Sequence, residues 1–183
     1  MDMEGTQRIE APQDVVWAAL NDPDVLKEAI PGCEDLEKVS DTEFKAKVTL
    51  KVGPVKATFN GQVSLEDLDP PNGYRIVGEG SGGPAGFAKG GAHVTLVPDG
   101  ADATLLTYTV HADIGGKIAQ LGSRLIDSTA KKLAGQFFTR FGDVVAPPPP
   151  GEEGETEGGK KKGWFSFLGG KGKAEDSAEP ESA

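Results

Sequence analysis

The chain has 183 residues, 37% of them hydrophobic, and a net charge of −10, which suits one domain of ordinary size able to bury a core. That charge excludes a nucleic-acid binder and sets the body of the protein against anionic lipid. The single Cys33 excludes an internal disulfide and fits a reducing cytosol, and the acidic start Met1-Asp2-Met3-Glu4 lacks the basic and apolar runs of a secretory signal.

Met3–Glu10 alternates weakly and ends at Ala11-Pro12, so it reads as a first strand. Pro12 suits the first position of a helix, with Val15, Val16, Ala19 and Leu20 as its short apolar face. Asn21-Asp22-Pro23 stops that helix and caps a second over Asp24–Ala29, which Pro31-Gly32 ends. Phe44, Ala46, Val48, Leu50 and Val52 then alternate with Lys45, Lys47, Thr49 and Lys51, a strand with one apolar and one wet face. Gly53-Pro54 interrupts, and the alternation resumes from Val55 through Phe59, Val63 and Leu65. Asp69-Pro70-Pro71-Asn72-Gly73 is a turn. Further strands start at Tyr74-Arg75-Ile76, run over Ala88–Leu96, and close over Leu106–Ala112.

A helix is predicted from about Ile114 to Phe141, with Ile118, Leu121, Leu125, Leu133 and Phe137 at three- and four-residue steps. The predicted order is one strand, two short helices, a meander of about six strands and one long helix. A single sheet with one apolar face needs a cover, and only the last helix is large enough. The expected fold is therefore α+β: a curved antiparallel sheet of about seven strands gripping a long C-terminal helix. Small residues on the inward register (Ala46, Ala57, Gly61, Gly78, Gly90, Ala92, Gly122) leave the enclosed space less than full, unless packing closes it. Expected lining residues are Val48, Leu50, Phe59, Val63, Ile76, Phe87, Val94, Leu96, Leu106, Tyr108, Leu121 and Leu125, several of which are also ordinary core. Phe87 sits in the glycine-rich Gly78–Gly91 stretch and would either close a cavity mouth or simply pack.

Residues 1–145 read as the folded domain, 146–159 as a Pro/Gly/acidic linker, 160–173 as a basic-aromatic segment and 174–183 as an acidic terminus. From Ala146 onward eight acidic residues against five lysines give −3, which leaves −7 on the domain. Trp164, Phe165, Phe167 and Leu168 have no core in this tail, and Lys160, Lys161, Lys162, Lys171 and Lys173 flank them. Bulky apolar groups between lysines suit the boundary of an anionic bilayer, at roughly 1 kcal/mol per lysine. About 20 apolar residues are needed to span hydrocarbon, so this segment would attach peripherally to the inner face of the cell membrane. A peptide that docks on a partner protein is the alternative reading.

Catalytic signals are weak. His93 and His111 fall on the polar register of their strands, and no His, Cys, Asp and Glu share metal-ligand spacing. Gly78-Glu79-Gly80-Ser81-Gly82-Gly83 matches a dinucleotide fingerprint by spelling, but a strand pattern follows where a helix is required. Lys45, Lys47, Lys51, Lys131 and Lys132 read as solvated faces.

Ile9-Glu10-Ala11-Pro12, Val15-Val16-Trp17 and Leu20-Asn21-Asp22-Pro23-Asp24-Val25-Leu26, followed by Ile30-Pro31-Gly32-Cys33, resemble the opening of the CoxG family, the CoxG subunit of carbon monoxide dehydrogenase. Gly53-Pro54-Val55, Gly90-Gly91-Ala92 and the run Gly115–Leu125 extend the resemblance over about residues 1–145. It implies a START-like helix-grip fold. It also implies a non-catalytic accessory protein that recruits carbon monoxide dehydrogenase, or a related molybdenum hydroxylase, to the cytoplasmic membrane. An apolar cavity in that setting suits a hydrophobic ligand, and the expected one is an isoprenoid quinone carrying electrons toward the respiratory chain. Two alternatives are a lipid-binding enzyme of the cyclase/aromatase type and a ligand-free scaffold that docks the dehydrogenase.

Overall fold

A computed structural model of the chain describes residues 1–146. The strands are β1 (Asp2–Ile9), β2 (Cys33–Ser40), β3 (Glu43–Val52), β4 (Val55–Asp69), β5 (Gly73–Ser81), β6 (Phe87–Pro98) and β7 (Thr104–Gly115). The helices are α1 (Gln13–Leu20), α2 (Pro23–Ala29) and α3 (Ser123–Val145). All neighbouring strands are antiparallel, in the order β1-β7-β6-β5-β4-β3-β2. The curved sheet and its long covering helix are those of the helix-grip arrangement expected from the sequence. Residues 147–183, including Lys160, Lys161, Lys162, Trp164, Phe165, Phe167, Leu168, Lys171 and Lys173, lie outside the described residues.

Local chemistry accounts for most boundaries. Pro23 opens α2, and the Asp22 carboxylate accepts the Asp24 backbone N–H at 2.9 Å. Pro12 precedes α1 as its cap and stands one position before the helix. The Gln13 side chain donates to the carbonyls of Pro71 and Leu96, both at 3.1 Å, tying the start of α1 to the β4–β5 turn and to β6. Val16, Ala19 and Leu20 turn inward from α1, and Val16 is fully buried.

Three expectations are corrected. The strand β2 has no counterpart in the sequence reading: Leu36 is its one inward apolar residue opposite Ala46, Glu34, Asp35 and Glu37 face water on a sheet edge, and Lys38 reaches over the Phe44 ring to donate to the Asn21 carbonyl at 3.2 Å. The last helix does not begin at Ile114. β7 continues to Gly115, a 3-10 turn spans Lys117–Leu121, and α3 starts only at Ser123. Gly122, at φ 98°, separates turn from helix in a conformation that side chains disfavour. Leu121 and Leu125 therefore do not share one helical face; both lie over the β3–β4 turn, where a Cβ on Gly53 would stand 2.7 Å from Leu125 Cδ2.

The third correction concerns Phe87. It opens β6 on the outward register with Lys89 and His93, is 48% exposed, and lays its ring against Gly115. Outward pointing follows from the parity of β6, whose inward residues are Ala88, Gly90, Ala92, Val94 and Leu96.

One end of the sheet is densely packed. Val16, Leu96, Thr104, Leu106 and Phe141 are all fully or almost fully buried, and each large apolar side chain there contributes roughly 1.5–3 kcal/mol. The polar member of that group is satisfied: the Thr104 hydroxyl donates to the Ala11 carbonyl at 2.8 Å.

Candidate functional site: an apolar cavity beneath the last helix

Register places the inward side chains of β3–β7 in rows across the sheet. One row reads Ala46, Gly61, Gly80, Ala88, Ile114, and the next Phe44, Val63, Gly78, Gly90, Ala112. Glycine and alanine leave the floor nearly bare, and Ala130 and Ala134 thin the helix above it. Space remains because neither layer supplies enough side chain to fill it.

Two adjoining chambers occupy that space. The first, about 340 Å³, lies under Ala134, Phe137 and Phe138. The expected residues Val63, Ile76, Val94, Leu106 and Tyr108 all line it. The second, about 260 Å³, lies under Ile126, Ala130 and Leu133, with Leu50 and Phe59 in its lining. Val48 and Leu96 share the inward register but line neither chamber; Leu96, 2% exposed, belongs to the packed end. Leu121, Leu125 and Phe87 also lie off both linings, for the reasons given above. Sequence reasoning missed Tyr74, Leu26, Ile30 and Phe138 as wall residues. The inward parity shared by Tyr74 and Ile76 was the available signal for the first. The α2 residues carried none, since the contact of α2 with α3 joins segments a hundred residues apart.

Among the described residues, no Lys, Arg, Asp, Glu or His lines either chamber. A charged ligand would lose its hydration there without compensation, so the interior suits a neutral, largely apolar molecule. Aromatic groups crowd the first chamber: Tyr108 stacks on Phe138 at 5.4 Å, Phe137 meets Phe138 edge-on at 5.1 Å, and Trp17 tilts against Tyr74 at 5.3 Å. Burial alone pushes the Tyr74 phenol well above its ordinary pKa, so its proton stays in place.

The opposite, polar register carries a wider groove of about 840 Å³, floored by Lys45, Lys47, Glu79 and Lys89 and bordered by Phe87. Both histidines are exposed, with His111 Nδ1 2.8 Å from the Asp2 carboxylate. Burial raises the pKa of the Cys33 thiol, which makes it a poor nucleophile. Among the described residues no group of three or more His, Cys, Asp or Glu is placed to hold a metal ion, and no helix is long and apolar enough to cross a membrane.

The family whose model matches is that of CoxG, a subunit of carbon monoxide dehydrogenase, over residues 5–146. The chain belongs to the CoxG family. No curated protein matches it. Among solved structures, a conserved protein from Geobacillus kaustophilus is 32% identical with a TM-score of 0.75, covering 80% of this chain and 95% of that one. The ZhuI aromatase/cyclase from Streptomyces sp. R1128 is 17% identical with a TM-score of 0.56, covering 79% and 93%. A START superfamily protein from Mycobacterium smegmatis is 14% identical with a TM-score of 0.57, covering 78% and 98%. The last two share the fold. This CoxG chain therefore combines a START-like fold with an apolar cavity of its own.

Proposed function

We propose that this CoxG protein is a non-catalytic carrier and adaptor. It binds an isoprenoid quinone beneath α3 and recruits carbon monoxide dehydrogenase, or a related molybdenum hydroxylase, to the cytoplasmic membrane. The observation that carries the reading is the pair of chambers lined without charged side chains among the described residues. An insoluble quinone tail is shielded there from water, which lets the molecule leave the bilayer and meet a soluble redox enzyme. The family name supports the dehydrogenase as partner. The lysine-flanked aromatic segment 160–173 supplies the attraction to lipid that a domain of charge −7 lacks.

An enzyme of the aromatase/cyclase type is the second reading, and its fold is similar. It would need a general acid or base inside, and the chambers offer two phenols with no carboxylate or imidazole beside them among the described residues. A ligand-free scaffold would have no use for the hollow.

The test is organic extraction of the protein purified from its native membrane, followed by mass spectrometry, for the full chain and for one lacking residues 160–173. The expected results are a bound isoprenoid quinone in the full chain and release of the shortened chain to the soluble fraction. Absence of any hydrophobic ligand, together with failure to take up added quinone, would remove the carrier reading. Unchanged membrane association of the shortened chain would remove the role given to the tail.

A further inference from the structure

The two chambers are unlike. Phe44, Tyr74, Tyr108, Phe137 and Phe138 give the first five aromatic side chains among its aliphatic ones, whereas the second has Phe59 alone beside Leu50, Ile114, Ile118, Ile126 and Leu133. They follow each other along α3, since Leu133 lines one and Ala134 the other. Along β5 the cavity runs from Tyr74 to Gly80, six residues or roughly 20 Å of strand.

The polar side-chain oxygens of the first chamber are two phenols in a single row. Tyr74 pairs with Val94, Val94 with Tyr108, and Tyr108 with Gly5. Glycine at position 5 makes room for the Tyr108 hydroxyl, which a Cβ there would meet at 2.5 Å. Tyr74 is 5% exposed, and its hydroxyl has no hydrogen-bond partner among the described residues. A buried phenol normally finds an acceptor, as buried Thr104 does with the Ala11 carbonyl.

We propose that the cavity is polarised. A flat, oxygen-bearing ring enters the aromatic chamber and accepts a hydrogen bond from Tyr74, while its aliphatic chain lies over the Gly61–Gly80–Ala88 floor and ends in the second chamber. This orientation rests on the carrier reading and adds to it the direction in which the ligand lies. Its oxygen is a neutral acceptor, a carbonyl or ether, because no cation among the described residues lines the first chamber to hold a carboxylate or phosphate. Aromatic walls favour a ring by stacking, and branched aliphatic walls accept a chain of any conformation.

The experiment uses the full chain carrying Trp164→Phe, which leaves Trp17 as the one tryptophan, 5.3 Å from Tyr74. The probes are a naphthoquinone bearing an isoprenoid chain and squalene, a hydrocarbon with no ring or oxygen. Bound quinone is expected to quench Trp17 strongly. Tyr74→Phe is expected to weaken quinone binding roughly three- to tenfold and to change squalene binding less than about twofold. The same variant, free of ligand, is expected to melt at a higher temperature, because it loses an unpaired buried hydroxyl. Equal quinone affinity in the Tyr74→Phe variant, or bound quinone that leaves Trp17 bright, would overturn the orientation while the carrier reading stands. Binding of neither probe to the parent chain would overturn both.

Discussion

At one end of strands β4–β7 the inward residues are Leu65, Tyr74, Leu96 and Leu106, all buried, with Leu96 off both chambers and the other three forming part of the first chamber's wall. A few residues along the same strands they are Gly61, Gly80 and Ala88, and the sheet is bare. The backbone ladder is continuous through both regions. What differs is side-chain volume per row. The large rows join Val16 and Phe141 in the buried core and turn one side toward the first chamber, while the small rows face Ala130 and Ala134 and leave the hollow. Stability is concentrated where volume is complete, and ligand capacity where it is withheld.

Changing volume at either end breaks or sharpens this contrast. The largest effect is expected at the packed end. Phe141→Ala removes a fully buried ring and should cost about 3–5 kcal/mol in denaturant unfolding. A loss under about 1 kcal/mol would mean that the packed end is not the main source of stability.

The hollow end should respond in two opposite ways. At Gly90 an added Cβ would run into the His111 carbonyl and stand 2.7 Å from Ala112 Cα, so Gly90→Ala should destabilise by about 1–3 kcal/mol. At Gly80 a Cβ meets nothing closer than 3.8 Å. Gly80→Val should change stability by less than about 1 kcal/mol and yet reduce quinone uptake, because its branches occupy the floor between the chambers. Unchanged uptake in a folded Gly80→Val protein would show that the chain does not cross that floor.

The smallest effect lies at the exposed β1–β7 margin. A hydrogen bond from His111 holds the Asp2 carboxyl below the usual carboxylate range. A depressed carboxyl pKa contributes stability above its unfolded value and loses it as pH falls through the folded one. Asp2→Asn should therefore lower the melting temperature slightly at neutral pH, by an amount that shrinks as pH falls through the folded-state pKa of Asp2. A difference that stays constant as the pH is lowered would assign the effect to something other than ionisation.

Much of the sheet was legible from period-two alternation, which is strict along β3 and β4 because one face packs while the other meets water. The same alternation placed Val63, Ile76, Val94, Leu106 and Tyr108 on the wall of the first chamber. It failed at β2, where one inward leucine among acidic residues makes no pattern. It also failed at Ile114, whose spacing fits both the end of a strand and the start of a helix. Parity along β6 would have put Phe87 outside, had its phase been carried back from Val94.

The amino-acid sequence by itself determined the element types, the curved sheet with its covering helix, and the shortage of inward volume, because each is written in local spacing and residue size. Only the tertiary structure decided that Tyr74 and Tyr108 share a row, that α2 closes a wall, and that the cavity has an aromatic and an aliphatic end. Those features depend on strand register and on which helix turn covers which row, and both are set by packing between residues far apart in the chain.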